Sequence, residues 1–377
     1  MSNTGYGKDG INVFGYIKAN MGMGQAVRQN IIALHKVGVK TTVHDVTTNG
    51  LHVETDTLLD GYITDELKYF YNYIHINADE TVDLDTKVTK AQRENRYNIG
   101  YWGWELSVFP DMWLKAFDHL DEVWVYSKFI QEAVAAKTDK PVVVVPIAVP
   151  PVTGELFDRE YFGIPKDKTC FLITFDLHSL FARKNPLGAI DAFRRAFSEK
   201  DNALLVIKLH SGRHDFTNER KMLYDNIKND PKIFIIDKVL TRQEQDSLQN
   251  CIDCYISLHR SEGFGLNIAE CMALGKPVIA TDYSGNTDFM SSDEAFAVPY
   301  TMTDVKENEY PCWQGQHWAE PDLGAAAEYM RKIYRDPEYA AEIGRKARAR
   351  ILKELSYEAV GKVMKDRLDQ LNTLLGK

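Results

Sequence analysis

Residues 261–281 read Ser261-Glu262-Gly263-Phe264-Gly265-Leu266-Asn267-Ile268-Ala269-Glu270-Cys271-Met272-Ala273-Leu274-Gly275-Lys276-Pro277-Val278-Ile279-Ala280-Thr281. An apolar run of strand length, 254–258, ends just before this stretch. Gly263 and Gly265 permit a tight turn and let a ligand approach the backbone closely. A helical pattern starts at Leu266, and the unpaired N–H groups of its first turn form a ready anion site. A second strand, 278–281, follows Gly275 and Pro277. Strand, glycine turn, helix and strand in this order are the mark of a parallel α/β unit. Glu262 lies in the turn and Glu270 inside the helix. Two carboxylates beside an anion site make little sense for the anion alone. They suit sugar hydroxyls on either side of a phosphate.

The same alternation extends in both directions. Toward the C-terminus of the chain, strands are predicted over 170–176, 203–209, 233–236, 254–258 and 278–281, with helices over 186–197, 217–227, 241–249 and 266–274. Helices over 322–334, 337–351 and 357–375 close the chain. Upstream, strand 11–16, helix 25–37 and strand 40–46 form a βαβ unit. Val27, Ile31 and Leu34 share one face of its helix. Further strands are predicted over 73–76, 97–102, 122–126 and 142–145, and a helix over 128–137 behind Ser127, a good N-cap. Pro146, Pro150, Pro151, Gly154 and Pro165 then interrupt the pattern and read as an interdomain linker. The expectation is two doubly wound α/β domains with a cleft at the carboxyl ends of both sheets, where ligands favour binding.

Glu262 and Glu270 at this spacing, with the flanking Gly-Phe-Gly-Leu and Ala-Leu-Gly-Lys-Pro-Val-Ile-Ala, resemble the signature of retaining glycosyltransferases of family 4, which have the two-domain GT-B fold. The resemblance is dense over 261–281, and the domain order agrees along the whole chain. It implies that Glu262 sits beside the donor sugar and that Glu270 binds the ribose hydroxyls of the nucleotide. It also implies that Gly263 and the backbone of Phe264, Gly265 and Leu266 meet the donor sugar and distal phosphate. The implied chemistry is a same-face substitution in which the leaving phosphate helps take the acceptor proton.

A second constellation, Asp176-Leu-His178-Ser179-Leu-Phe-Ala-Arg183-Lys184-Asn185-Pro186, follows the first strand of the second domain. A leaving nucleoside diphosphate develops negative charge, which a fixed Arg and Lys stabilise. The family uses such a pair here, more often with several residues between them. In this chain Arg183 and Lys184 are adjacent, and neighbours in a loop often face opposite ways. Lys208 and Arg260 are reserve cations. Gly22 and Gly24, in a loop before the first helix, let backbone approach a phosphate. A dinucleotide site ending on Asp45 fits less well, because Val27 stands at the third glycine position. Val239 falls in 237–240, where the resemblance places the nucleotide base.

The segment 98–110 is rich in aromatics, and Trp104 and Glu105 are its acceptor-side candidates: a ring to stack on a sugar and a carboxylate to take its hydroxyls. At least one of Trp102 and Trp104 is expected in the core. Many relatives carry a His in this region, and this chain has none there. Three weaker signals are set aside. Asp83-Leu-Asp85 sits in a polar stretch with no strand leading into it. Cys251 and Cys254 lack a second ligand pair for zinc. The segment 314–322 reads as a loop.

The 377 residues carry 45 Lys and Arg against 54 Asp and Glu, a net charge of −9, so a basic nucleic-acid footprint is absent. Residues 1–160 hold most of the surplus, 15 basic against 22 acidic groups. No apolar run approaches the roughly 18–20 residues of a membrane span, and residues 1–10 have no apolar core of a signal peptide. Five cysteines suit a reducing compartment.

The expectation is therefore a cytoplasmic, metal-independent, cofactor-free hexosyltransferase of glycan or polysaccharide biosynthesis, with at most peripheral contact at the inner membrane face. Residues 1–155 would bind a saccharide or lipid-linked saccharide acceptor and 160–355 the nucleotide-sugar donor. The helix in 356–377 would cross back to the first domain. Glu262, Arg183 and Lys184 would be catalytic. The alternatives are a nucleotide-sugar epimerase on a GT-B frame, or a non-catalytic nucleotide- or carbohydrate-binding protein. A sugar phosphorylase would need a pyridoxal-binding lysine and a longer chain.

Overall fold

The computed structural model describes residues 6–47, 54–210 and 217–376. The chain divides into two compact units, Met1–Pro150 with Lys353–Lys377, and Pro151–Leu352.

The first unit is a six-stranded sheet in the order β2-β1-β3-β4-β5-β6. Its strands are β1 (Gly7–Gly15), β2 (Lys40–Asp45), β3 (Tyr69–His75), β4 (Tyr97–Trp102), β5 (Glu122–Val125) and β6 (Val142–Val144). Every pairing is parallel. Such sheets are covered on both faces and read as continuous apolar runs, and all seven residues of β3 are buried. A polar ladder crosses the first four strands in register. Thr42 Oγ1 donates to Asn12 Oδ1 at 2.8 Å, Asn12 Nδ2 to Asn72 Oδ1 at 2.9 Å, and Asn72 Nδ2 to Asn98 Oδ1 at 2.8 Å. A one-residue slip would leave these buried amides unpaired, so the ladder specifies register as well as stability.

The C-terminal helix Tyr357–Leu374 belongs to this unit. It buries Val360, Met364, Leu368 and Leu371, spaced for one face. Each such side chain contributes about 1.5–3 kcal/mol on burial. Gly361 lets the helix approach the Gly22–Lys36 helix closely, because a Cβ there would lie 2.2 Å from the Ala33 carbonyl oxygen. Arg367 also reaches the fully buried Glu122, its Nε donating to Oε1 at 2.9 Å.

The second unit repeats the architecture in the order β12-β11-β10-β7-β8-β9, again all parallel. Its strands are β7 (Thr169–Asp176), β8 (Ala203–His210), β9 (Ile233–Asp237), β10 (Cys254–Ser257), β11 (Val278–Thr281) and β12 (Phe296–Val298). Phe171, Ile173, Phe175, Ile207, Leu209 and Ile256 form one face of the sheet and join a core with the Pro186–Ala196 and Leu323–Arg335 helices. Alternation puts Thr174 and Lys208 on the other face.

Residues 314–322, expected as a loop, instead contain β14 (His317–Pro321), antiparallel to β13 (Tyr300–Asp304). The pair is short and partly exposed, and its burial does not follow a clean period of two, so the sequence carries no strand signal there. Cys254 is buried in β10, while Cys251 ends the Arg242–Cys251 helix. Among the described residues no helix is long and apolar enough to cross a membrane.

Candidate active site

The loop leaving β10 carries Glu262 to Gly265, and the helix Leu266–Ala273 starts directly after it. Gly265 holds φ at 93°, a left-handed conformation that favours glycine. The Phe264 ring is buried against Phe289, with centroids 5.0 Å apart, so only the backbone at this position is available to a ligand.

A second turn, after β11, braces this loop. Gly285 N–H donates to the Glu262 carbonyl at 2.9 Å, and a Cβ on Gly285 would lie 2.0 Å from the Gly263 carbonyl oxygen. Ser284 stands at φ 74° and ψ −148°, a region almost reserved for glycine, and its Oγ accepts the Glu262 N–H at 2.8 Å. Asn286 donates to the Thr281 carbonyl at 2.9 Å and meets the buried His259 ring 3.0 Å away. Burial lowers the pKa of His259, favouring the neutral ring.

Arg183 and Lys184, expected in a loop, occupy a single helical turn, Phe181–Lys184. Leu180 (φ 66°) enters this turn and Asn185 (φ 50°) leaves it, so two left-handed residues isolate it from the next helix. Asn185 fixes its place. Its Oδ1 accepts the Gly188 N–H at 3.2 Å, and its Nδ2 donates to the Leu258 carbonyl at 3.0 Å. Although adjacent, the two cations do not face apart. Helical neighbours differ by about 100°, and both long side chains reach Glu262. Arg183 Nη1 lies 3.1 Å from Glu262 Oε2 and 2.9 Å from the Ser261 carbonyl, and Lys184 Nζ pairs with Glu262 Oε1.

Glu262 and Arg183 are buried, at 7% and 4% exposure. Burial pushes the Glu262 carboxyl upward in pKa, but Lys184 and Arg183 outweigh it and hold the group at about 2. The result is a buried carboxylate between two cations, directly before a helix N-terminus.

Glu270 has a separate set of partners. Arg242 Nη1 donates to its Oε1 at 2.5 Å and Gln249 Nε2 to its Oε2 at 3.1 Å. Both lie on the helix Arg242–Cys251, and neither is among the residues singled out from the sequence. Their seven-residue spacing, two helical turns, is the signal that places them on one face. Val239 is exposed, between β9 and that helix.

Arg260 ties the pieces of this unit together. Its N–H donates to the Arg183 carbonyl at 2.8 Å, and its Nη1 to the Ala182 carbonyl at 2.6 Å. Its Nε donates to Glu320 Oε2 at 2.7 Å, on β14, and its guanidinium lies over the Trp318 ring. The β13–β14 pair thus buttresses the turn carrying Arg183 and Lys184.

The remaining sequence candidates lie in the first unit. Gly22 and Gly24 are not in a loop: they begin the helix Gly22–Lys36. Gly24 is required by packing, since a Cβ would lie 2.3 Å from the Ala19 carbonyl oxygen, whereas Gly22 faces open space. Asp45 accepts the Lys18 N–H at 3.1 Å. Trp104, an acceptor-side candidate, is 3% exposed, packed edge-on to Trp113, with its Nε1 bound to the Val108 carbonyl. Its ring is a core element and offers no face to a sugar. Trp102 is fully buried and stacks on Phe109. Glu105 is half-buried near Tyr126, whose hydroxyl pKa is raised by burial and then by the Glu105 charge. Asp85 pairs with Arg93.

Residues 157–350 match the family model described as glycosyl transferases group 1. A trehalose synthase of Rubrobacter xylanophilus is 26% identical over 173 residues, which is 45% of this chain and only 36% of that protein. Among solved structures, the sucrose-phosphate synthase of Thermosynechococcus elongatus gives a TM-score of 0.67 at 16% identity, covering 97% of this chain and 100% of that one. Anabaena HepE in complex with UDP and glucose gives 0.68 at 13% identity, covering 96% and 99%. At these identities the likeness shows the fold, two Rossmann-like α/β domains of GT-B type.

Proposed function

The chain belongs to glycosyl transferases group 1, and from that premise we propose that it moves a sugar from a nucleoside-diphosphate-sugar donor to a hydroxyl of a saccharide or lipid-linked saccharide acceptor, with retention at the anomeric carbon. One observation carries this reading: Glu262 is clamped between Arg183 and Lys184 immediately before the N-terminus of the Leu266–Ala273 helix. Cations and unpaired N–H groups converge where a diphosphate would gain charge, and a carboxylate stands among them to take a sugar hydroxyl.

In this mechanism the bond between the anomeric carbon and the distal phosphate oxygen breaks, and its electrons go to the phosphate. Arg183, Lys184 and the helix N–H groups stabilise that charge. The acceptor oxygen attacks the same face, and its proton passes to the leaving phosphate. Glu270 holds the ribose, and the segment around Val239 meets the base. The HepE structure was solved with UDP and glucose, which makes a UDP-sugar the first donor to test.

The experiment has two stages. A thermal-shift panel of UDP-, GDP-, dTDP- and ADP-sugars identifies the donor, since the tightest ligand raises Tm most. Nucleoside diphosphate release is then followed with and without saccharide acceptors, and the product anomer is read by NMR. Acceptor-dependent release with the donor's anomeric configuration is expected. Donor binding without release in any acceptor series would favour a non-catalytic binding protein, and an inverted anomer would reject retention.

A further inference from the structure

Lys208 lies near the carboxyl end of β8, in the second unit, and is 4% exposed. Its ammonium has three N–H groups. Among the described residues it makes one hydrogen bond, to the Leu209 carbonyl at 3.0 Å, and no ion pair. In the β7–β8 register Lys208 stands beside Thr174, so both side chains share the face opposite the Phe171–Phe175 core. The Thr174 hydroxyl oxygen is buried there with no hydrogen-bond partner. Two neighbouring buried polar groups are thus short of partners on one sheet face.

A buried cation without a contacting anion is costly, and a buried hydroxyl without a partner costs about 1–3 kcal/mol. Such groups are completed by an ordered water, an ion or a ligand. The nearby acids do not do so. Asp176 and Asp237 act on Lys208 through space, as do Lys238 and Glu244, and Asp237 is itself paired with Arg220. The strand order places this pair beside the proposed donor site. β8 neighbours β7, whose following turn carries Arg183 and Lys184, and also β9, which leads toward Val239. Arg183 and Lys184 share the single carboxylate of Glu262, whereas among the described residues no carboxylate contacts Lys208.

The geometry points to Lys208, with the Thr174 hydroxyl beside it, as a phosphate-binding pair for the nucleoside diphosphate. This inference rests on the donor reading and adds a third cation, from a different strand, to Arg183 and Lys184. An anion is the appropriate ligand class, because a neutral carbonyl would leave the buried charge uncompensated. Burial lowers the Lys208 pKa to about 8, with Asp176 and Asp237 opposing that shift. Deprotonation as pH rises therefore removes the charge that holds phosphate.

The test is calorimetric binding of UDP, GDP, ADP and dTDP, each with its phosphate-free nucleoside, to the full chain and to Lys208→Met and Thr174→Val, from pH 7 to 9.5. Wild type is expected to lose diphosphate affinity as pH rises through and above 8. Lys208→Met should bind the diphosphate at least about tenfold more weakly at pH 7, with no such pH decline and unchanged nucleoside binding. Thr174→Val should weaken the diphosphate severalfold. If wild type and Lys208→Met bind the diphosphate alike, the Lys208 assignment falls and the donor reading stands. If wild type binds none of the four, the donor reading itself falls, and this inference with it. Should Lys208→Met not fold, a flat wild-type pH profile together with unchanged Thr174→Val affinity overturns the inference.

Discussion

Arg183 and Glu262, far apart in sequence, meet at 3.1 Å with both side chains buried, and Lys184 closes on the other carboxylate oxygen. Removing one partner of a buried pair strands the remaining charge and costs about 3–5 kcal/mol. Glu262→Gln should destabilise the fold by that order. The sign with pH follows from the lowered carboxyl, held at about 2 against about 4.3 in an unfolded chain. The stabilisation is complete above the unfolded value and is lost as pH falls toward 2. Denaturant melts between pH 6 and 2.5 should show a steeper acid loss in wild type than in Glu262→Gln. Equal slopes would mean the carboxylate is not the group that titrates.

Charge moving onto the diphosphate is met by groups that act more strongly in the transition state than in the ground state. Lys184→Ala should therefore lower kcat by about a hundredfold, roughly 2.7–4 kcal/mol, with a smaller change in donor Kd. Because the single helical turn aims both cations at Glu262, Arg183→Ala should do likewise. Wild-type turnover in both variants, measured at fixed ionic strength, would move the diphosphate elsewhere.

Glu270 stands apart from Glu262, since its partners include Arg242 and Gln249 rather than Arg183 and Lys184. Glu270→Ala should weaken nucleoside diphosphate binding by about 1.5–3 kcal/mol for each charged hydrogen bond lost, with kcat at saturating donor little changed. Unaltered Kd by calorimetry would remove the ribose from this site.

Ser284 separates strain from hydrogen bonding. Its backbone suits glycine, while its hydroxyl accepts the Glu262 N–H. Its hydroxyl also donates to the Tyr283 carbonyl at 2.5 Å. Ser284→Gly relieves about 1–3 kcal/mol of strain while losing two bonds worth about 1 kcal/mol each. Ser284→Ala loses both bonds and keeps the strain. Thermal melts should rank glycine above alanine and alanine below wild type. The reverse order would contradict a strained backbone at Ser284.

In the proposed site, phosphate charge is met by Arg183, Lys184 and helix N–H groups, with no divalent ion. Turnover should persist in excess EDTA. Complete loss, restored by Mg²⁺ or Mn²⁺, would reject this arrangement of the site.

Short-range features were legible in the sequence. The strands β7, β8, β10 and β11 stand where apolar runs are bounded by Gly, Pro and polar residues, and the helix Thr217–Ile227 has the predicted ends. The Gly263–Gly265 turn and the Ser127 cap are likewise local, since each depends on backbone freedom or on one side chain within three residues. Where local patterns misled, neighbours had intervened. Trp104 reads as a sugar platform but fills a core, and Gly24, placed by the sequence in a loop, instead begins a helix in which a Cβ would meet the Ala19 carbonyl. The site's pairings were out of reach for a further reason. Glu262 meets Arg183 because β10 lies beside β7, and Lys208 stands beside Thr174 because β8 flanks β7 on the other side. Hydrophobic periodicity determines that strands form and which way they face. The order in which they join a sheet, and hence which loop ends meet, is decided only when the whole unit buries its apolar surface at once.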